Sequence, residues 1–195
     1  MNAKQELIDY VIETPENTNR QVLESLVDAL LDQKAPATYV EETYDSNGKL
    51  INANLVGYTK IRDYQFYMCQ ALSSINLPSK LTSIGCYAFY DCKNLALTSL
   101  PPGITIIDDN ALNGCQNLAL TSLPSGITNI GTYALSLCTK LTSITFGGTP
   151  NSISNTAFYG CANLTTINVP WAENAVANAP WGATKATINY NYTGE

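Results

Sequence analysis

Ile84-Gly-Cys-Tyr-Ala-Phe-Tyr-Asp-Cys92-Lys-Asn-Leu95 is the stretch that decides the fold, because it comes back. Twenty-three residues later, Ile107-Asp-Asp-Asn-Ala-Leu-Asn-Gly-Cys115-Gln-Asn-Leu118 holds Ile, Ala, Cys and Leu in the same places. Working outward, Cys69, Cys92, Cys115, Cys138 and Cys161 keep one spacing, and so do Ile61, Ile84, Ile107, Ile130 and Ile153. Phe66, Phe89, Leu112, Leu135 and Phe158 fill the position between, behind Ala88, Ala111, Ala134 and Ala157; Gln65 breaks the Ala position in the first coil. Each coil then runs through Leu77, Leu100, Leu123, Phe146 or Val169 to a proline or Gly147. A gap-free period with apolar residues at fixed phases describes stacked coils that cover one another's core.

The spacing predicts five 23-residue coils over residues 61–170. One coil cannot bury enough surface to offset the entropy of ordering its own backbone, so stability must come from stacking. Leu141-Thr-Ser-Ile144-Thr-Phe146 reads as a short extended segment stopped by glycine. Ile-Gly-x-x-Ala-Phe-x-x-Cys reads as a second extended piece followed by one helical turn. At about 4.8 Å per parallel strand, five coils make a stack roughly 24 Å long. Coils two and three depart from the pattern, because Thr98 and Thr121 stand where Ile75 and Ile144 do. A local bulge is expected there.

These positions resemble the BspA-type leucine-rich repeats of bacteria, whose coils follow Leu-x-x-Ile-x-Leu-Pro-x-x-Ile-x-x-Ile-Gly-x-x-Ala-Phe-x-x-Cys. The resemblance implies a right-handed leucine-rich-repeat solenoid of mostly short parallel β-strands with helical turns, used in surface adhesion or protein binding. It implies no catalytic residues.

Ahead of the coils, residues 1–34 read as two short amphipathic helices. Asn2 with Gln5 and Thr18 with Gln21 form capping boxes, and Val22, Leu23, Leu26, Val27, Leu30 and Leu31 form an apolar stripe. They serve as an anchor or a cap. Residues 35–60 read as a β-hairpin cap, with Asn47-Gly48 as a two-residue turn between Tyr39–Tyr44 and Lys49–Val56. Residues 171–195 read as a C-terminal cap in which Trp171 and Trp181 cover the last coil and Ile188–Tyr192 alternates like a closing strand. Thr14–Leu23 and the Trp-containing tail are similar to the ends of assorted phage and prophage proteins.

Charge is sparse, at 13% of residues, and carries a net −6. It is concentrated in residues 1–60; residues 61–169 hold four acids and four bases. Without clustered Lys and Arg the chain is not expected to bind nucleic acid. No apolar run approaches a membrane span. The polar start, Met1-Asn-Ala-Lys-Gln-Glu6, lacks the basic-then-apolar pattern of a secretory signal. There is no histidine, which removes Ser-His-Asp and Cys-His nucleophile pairs.

Five in-phase cysteines form a ladder rather than a cage, so Cys69, Cys92, Cys115, Cys138 and Cys161 read as structural thiols, not as zinc ligands or disulfides. Cys86 falls on an outward phase and reads as an exposed, oxidisable thiol. Tyr64, Tyr87 and Tyr133 share one phase and Tyr67, Tyr90 and Tyr159 another; such ladders can stack on sugars or protein, or simply pack along the outer face. Ser74, Asn76, Ser99, Ser122, Thr145, Thr166 and Asn168 should line one sheet face, either as a neutral hydrogen-bonding surface or as a solvated one. Asp108-Asp109 reads as a solvated turn, with calcium binding the sharper alternative.

No cofactor or metal is called for. The expectation is a non-catalytic protein- or glycan-recognition or scaffold module. The phage-like ends suggest a virion or prophage component made in the bacterial cytoplasm, with residues 1–34 mediating self-assembly or particle attachment. A bacterial cell-surface adhesin is the alternative. A carboxylate-based hydrolase is the third reading, and it would need a pair of acids that the four solenoid aspartates do not supply.

Overall fold

A computed structural model describes residues 38–194. The helices expected within residues 1–34 lie outside them. Among the described residues all regular structure is strand. Five two-residue strands, β3 (Lys60–Ile61), β5 (Ser83–Ile84), β6 (Ile106–Ile107), β8 (Asn129–Ile130) and β10 (Ser152–Ile153), form one all-parallel sheet. Its rungs pair Ile61 with Ile84, Ile84 with Ile107, Ile107 with Ile130 and Ile130 with Ile153. Side chains 23 residues apart therefore stack as neighbours, which is the prediction the repeat rested on. All five isoleucines are buried, and the Phe66 and Phe89 rings lie parallel 5.2 Å apart.

The opposite side of each coil carries two shorter sheets. One contains β1 (Tyr39–Tyr44), β2 (Leu50–Val56) and β4 (Ser74–Asn76); the other contains β7 (Ser122–Leu123), β9 (Ser143–Phe146), β11 (Thr166–Asn168) and β12 (Thr187–Asn189). β2 runs parallel to β4, with Asn52 opposite Ser74, so the hairpin strand already occupies a coil position. At the other end β12 pairs parallel with β11, Thr187 opposite Thr166. The chain thus winds about one turn further than the five coils expected. The tail repeats the path with 21 residues rather than 23, so a search for a strict period misses it.

The helical turn predicted in each coil is not a helix. Amides along it alternate between two partners. Gln65, Tyr67 and Cys69 donate three residues back, to Arg62, Tyr64 and Phe66, while Tyr64, Phe66 and Met68 donate to Cys86, Ala88 and Tyr90 of the next coil. Every second N–H is taken by the neighbouring coil, and the i→i−4 ladder of an α-helix cannot form. Left-handed residues recur where the backbone reverses, at Tyr64, Tyr87, Asn110 and Tyr133 and again at Met68, Asp91, Gly114, Leu137 and Gly160.

Hydroxyl staples reinforce the stack: Thr82, Thr105 and Thr128 each donate to the carbonyl of the threonine one coil earlier. Glycine is required where coils approach most closely. A Cβ on Gly131 would sit 2.7 Å from the Asp109 backbone nitrogen, and one on Gly85 2.8 Å from that of Asp63.

The hairpin forms as expected, but not through a two-residue turn. Asp45–Lys49 makes the connection, with a register shift at Thr43/Tyr44 and only Gly48 at positive φ. The cause is the Asp45 carboxylate, which accepts the amides of both Asn47 and Lys49 and so favours a longer asparagine-type loop.

At the tail, Trp171 packs edge-on to Phe146 at 5.2 Å, and Trp181 is fully buried 5.9 Å from the same ring. The Trp181 indole donates to the Ala177 carbonyl, whereas the buried Trp171 indole N–H has no partner among the described residues.

Candidate functional site

Four buried thiols hold equivalent positions. Cys92, Cys115, Cys138 and Cys161 each donate to a carbonyl of the preceding coil, on Phe66, Phe89, Leu112 and Leu135, at 3.0–3.3 Å. Burial drives all four upward, Cys92 to about 12 and Cys161 to about 11. All four are free thiols, and burial holds them protonated at neutral pH. Cys69 departs from the expectation of a fully buried row, because it belongs to the outermost repeat and is only half-buried. Cys86 is also half-buried rather than exposed; burial, then the charges of Asp108 and Asp63, push its thiol up, which works against ready oxidation.

Two of the acids tie neighbouring coils together. Asp63 and Asp109 lie two periods apart, and each accepts the backbone amide 23 residues on, from Cys86 at 2.8 Å and Thr132 at 2.6 Å. Asp108 feels both: its carboxyl is raised by burial, then by Asp63 and Asp109, against the opposing pull of Lys60. The doubled period between Asp63 and Asp109 was the available signal. Among the described residues no group of three or more His, Cys, Asp and Glu is arranged to hold a metal ion.

The tyrosines form two clusters rather than continuous ladders. Tyr64 and Tyr87 stack with centroids 5.0 Å apart and planes within 3°, and Tyr67 stacks on Tyr90 at 5.2 Å. Tyr87 contacts Tyr67 edge-on and Tyr90 at a tilt, so four rings make one platform. Tyr64 is 57% and Tyr67 43% exposed. In coil three the chain carries Asn110 and Asn113, hydrogen-bonded to each other, and the platform stops. Tyr133 and Tyr159 resume beyond it as an edge-on pair.

The hydroxyl and amide residues behave differently. Ser74 and Asn76 lie on β4, Ser122 on β7, Thr145 on β9, and Thr166 and Asn168 on β11. Their neighbours extend the row in both directions: the Asn76 amide donates to Asn54, Asn168 to Thr145 and Asn189 to Asn168. Asn54 and Asn189 were missed because their spacings, 22 and 21, fall outside the strict period. Ser99 does not sit on a strand. Leu97–Leu100 leaves the ladder, and the rungs that pair Thr166, Ile167 and Asn168 with Ser143, Ile144 and Thr145 have no counterpart between coils one and two.

With the geometry in place, the comparisons are direct. A family model described as "BspA type Leucine rich repeat region" matches residues 59–179 in six copies. The chain belongs to that family. Among solved structures, the BspA-type chain is similar to a Treponema pallidum leucine-rich-repeat protein, at 21% identity over 81% of this chain and 82% of that one, with a TM-score of 0.57; that likeness concerns the fold alone. Two further matches are a leucine-rich-repeat protein from Bacteroides ovatus (20% identity, 69% of this chain and 46% of that one, TM-score 0.41) and the pneumococcal vaccine antigen PcpA (24%, 66% and 36%, TM-score 0.46). The chain spans less than half of each of these two proteins. No curated protein matches it. No helix among the described residues is long and apolar enough to cross a membrane.

Proposed function

We propose that this BspA-type solenoid is a non-catalytic recognition module that engages a protein or glycan partner through the platform of Tyr64, Tyr67, Tyr87 and Tyr90. The observation that carries the reading is the stack of Tyr64 on Tyr87, both on left-handed backbone, beside the exposed faces of Tyr64 and Tyr67. Tyr64 and Tyr87 stand at φ of 59° and 55°, where a bulky L-residue costs about 1–2 kcal/mol. Coil three fills the same phase with Asn110, a residue that tolerates this conformation. Retaining tyrosine at such a position favours a role for the ring itself. Rigid aromatic surfaces with outward hydroxyls suit sugar faces and protein hot spots alike.

The test is a glycan array and a bacterial- and host-cell binding assay on the full chain and on Tyr64→Asn/Tyr67→Ser. The expected outcome is at least a tenfold loss of binding with a thermal midpoint no lower than that of the unsubstituted chain. Retained binding by the variant would remove the platform from consideration.

A second reading, expected from the sequence alone, is that residues 1–34 attach the solenoid to a particle. Deletion of residues 1–34 should then leave the solenoid folded and abolish assembly; unfolding of the remainder would instead identify those residues as a cap.

A further inference from the structure

Among the described residues the solenoid wall is open between coils one and two. β4 ends one sheet and β7 ends the other, so two strand edges lie inside the stack rather than at its ends. After the Ala96 amide bonds the Ser73 carbonyl, no backbone bond joins the two coils until the Ile104 turn has been passed and Thr105 reaches Thr82. A groove of about 490 Å³ occupies the gap, lined among others by Ser74, Ile75, Asn76, Thr98, Ser99 and Leu100.

The gap is built into the sequence. Ile75 is buried, but its equivalent Thr98 is exposed, and Leu97 turns partly inward instead. Pro101-Pro102 follows at once and supplies neither an amide for a rung nor the freedom to recover the register. Coil three has the same Leu-Thr substitution but a single proline; there Leu120 is buried and Ser122–Leu123 rejoins the ladder against Thr145 and Phe146.

We propose that this groove accepts an extended, uncharged peptide segment of three to four residues, which pairs with the free edge of β4. Three arguments select that occupant. An unpaired strand edge offers main-chain donors and acceptors at the spacing of another strand, the basis of recognition by β-strand addition. The three residues of β4 present about 10 Å of edge, the length of such a segment, and the volume lies in the range of small-ligand pockets. No charged side chain lines the groove, so a charged segment would lose hydration without compensation. The tyrosine platform lies on the turn segments, not on these strands, so either surface can fail without the other.

The probe is a set of acetylated, amidated tetrapeptides of alternating Val and Thr, titrated into the full-length protein while backbone amide NMR signals are followed. Saturable shifts are expected at Ser74–Leu77 and Thr98–Leu100, with half-saturation on the order of 1 mM. N-methylation of alternate peptide residues should weaken binding at least tenfold. Ser99→Lys, at an exposed position, should weaken it for a peptide carrying an added lysine and leave the fold intact. Leu97→Ser/Thr98→Ile/Pro102→Ser, which restores the coil-one pattern, should close the groove and abolish binding. Absence of saturable shifts in the wild-type protein overturns the proposal. So does equal binding of the N-methylated peptides, or shifts at these amides produced by a neutral chitotetraose and not by the peptides.

Discussion

Each buried thiol in the core adds a weak donor to a carbonyl of the preceding coil, three of which (Phe66, Phe89 and Leu112) already accept a backbone amide, and this second contact gives Cys an advantage over Ala at this position. A thiol fills the space of a small apolar side chain and supplies one weak donor. The arrangement has a measurable pH signature. Burial raises the folded-state value of Cys92 from 9.0 to about 12. A raised value means that the folded protein retains its proton while the unfolded chain loses it, so the contribution is complete below pH 9 and declines as pH rises toward 12. Between pH 9 and 10.5, Cys92 alone should lose about 2 kcal/mol of stability. Urea denaturation across that range checks it: Cys92→Ala should be less stable at pH 7 but show a shallower fall. An equal slope in both proteins would mean that the thiol ionises without unfolding.

At the scale of elements, the periodic positions were legible and the exceptions were not. Ile61 through Ile153, the buried Ala–Phe pairs and the Cys row are read directly from the period, because a fixed phase in a gap-free repeat is a fixed place in the stack. The six-residue turn looked helical because Ala and Phe recur within it; its true state depends on amides of one coil bonding the next, which no local propensity encodes. Likewise Asn47-Gly48 signals a tight hairpin, yet the deciding group is two residues upstream. Asp45 accepts two amides, and its carboxyl lies below the ordinary value mainly through the Lys49 amide, then that of Asn47. Asp45→Ala should leave β1 and β2 paired while amide exchange at Asn47 and Lys49 quickens severalfold. In the wild-type protein the same loss of protection, relative to the intrinsic exchange rate at each pH, should appear as pH falls through the lowered titration of the carboxyl, because it protects those amides only while ionised. The candidate site divides along the same line. The Tyr phases and a departure at Thr98 and Thr121 were visible, whereas the platform's end at Asn110, the extra rungs at Asn54 and Asn189, and the difference between an open wall at Thr98 and a recovered ladder after Thr121 required coordinates.

Across the whole molecule, stability is a sum of coils and of contacts between adjacent coils, so the consequence of a mutation depends on where it falls along the stack. Trp181 is fully buried in the last turn and packs with Trp171 against Phe146, while the Phe158 amide bonds its carbonyl. Truncating a buried side chain of this size costs about 3–5 kcal/mol. At the end of a solenoid that loss can be confined, because fraying the tail and β12 leaves the interior contacts in place. Leu112, equally buried, lies in coil three with coils on both sides. Leu112→Ala, at about 2–5 kcal/mol, has no such exit. Native-state hydrogen exchange should therefore separate them. Trp181→Ala should quicken exchange of Thr187–Asn189 and Ile167 while leaving Ile84 and Ile107 protected, and Leu112→Ala should lower protection across every coil by a similar factor. If Trp181→Ala lowers protection uniformly from Ile61 to Ile188, the tail is not a separable end piece but part of a single cooperative unit, and the additive description of the solenoid fails for this chain.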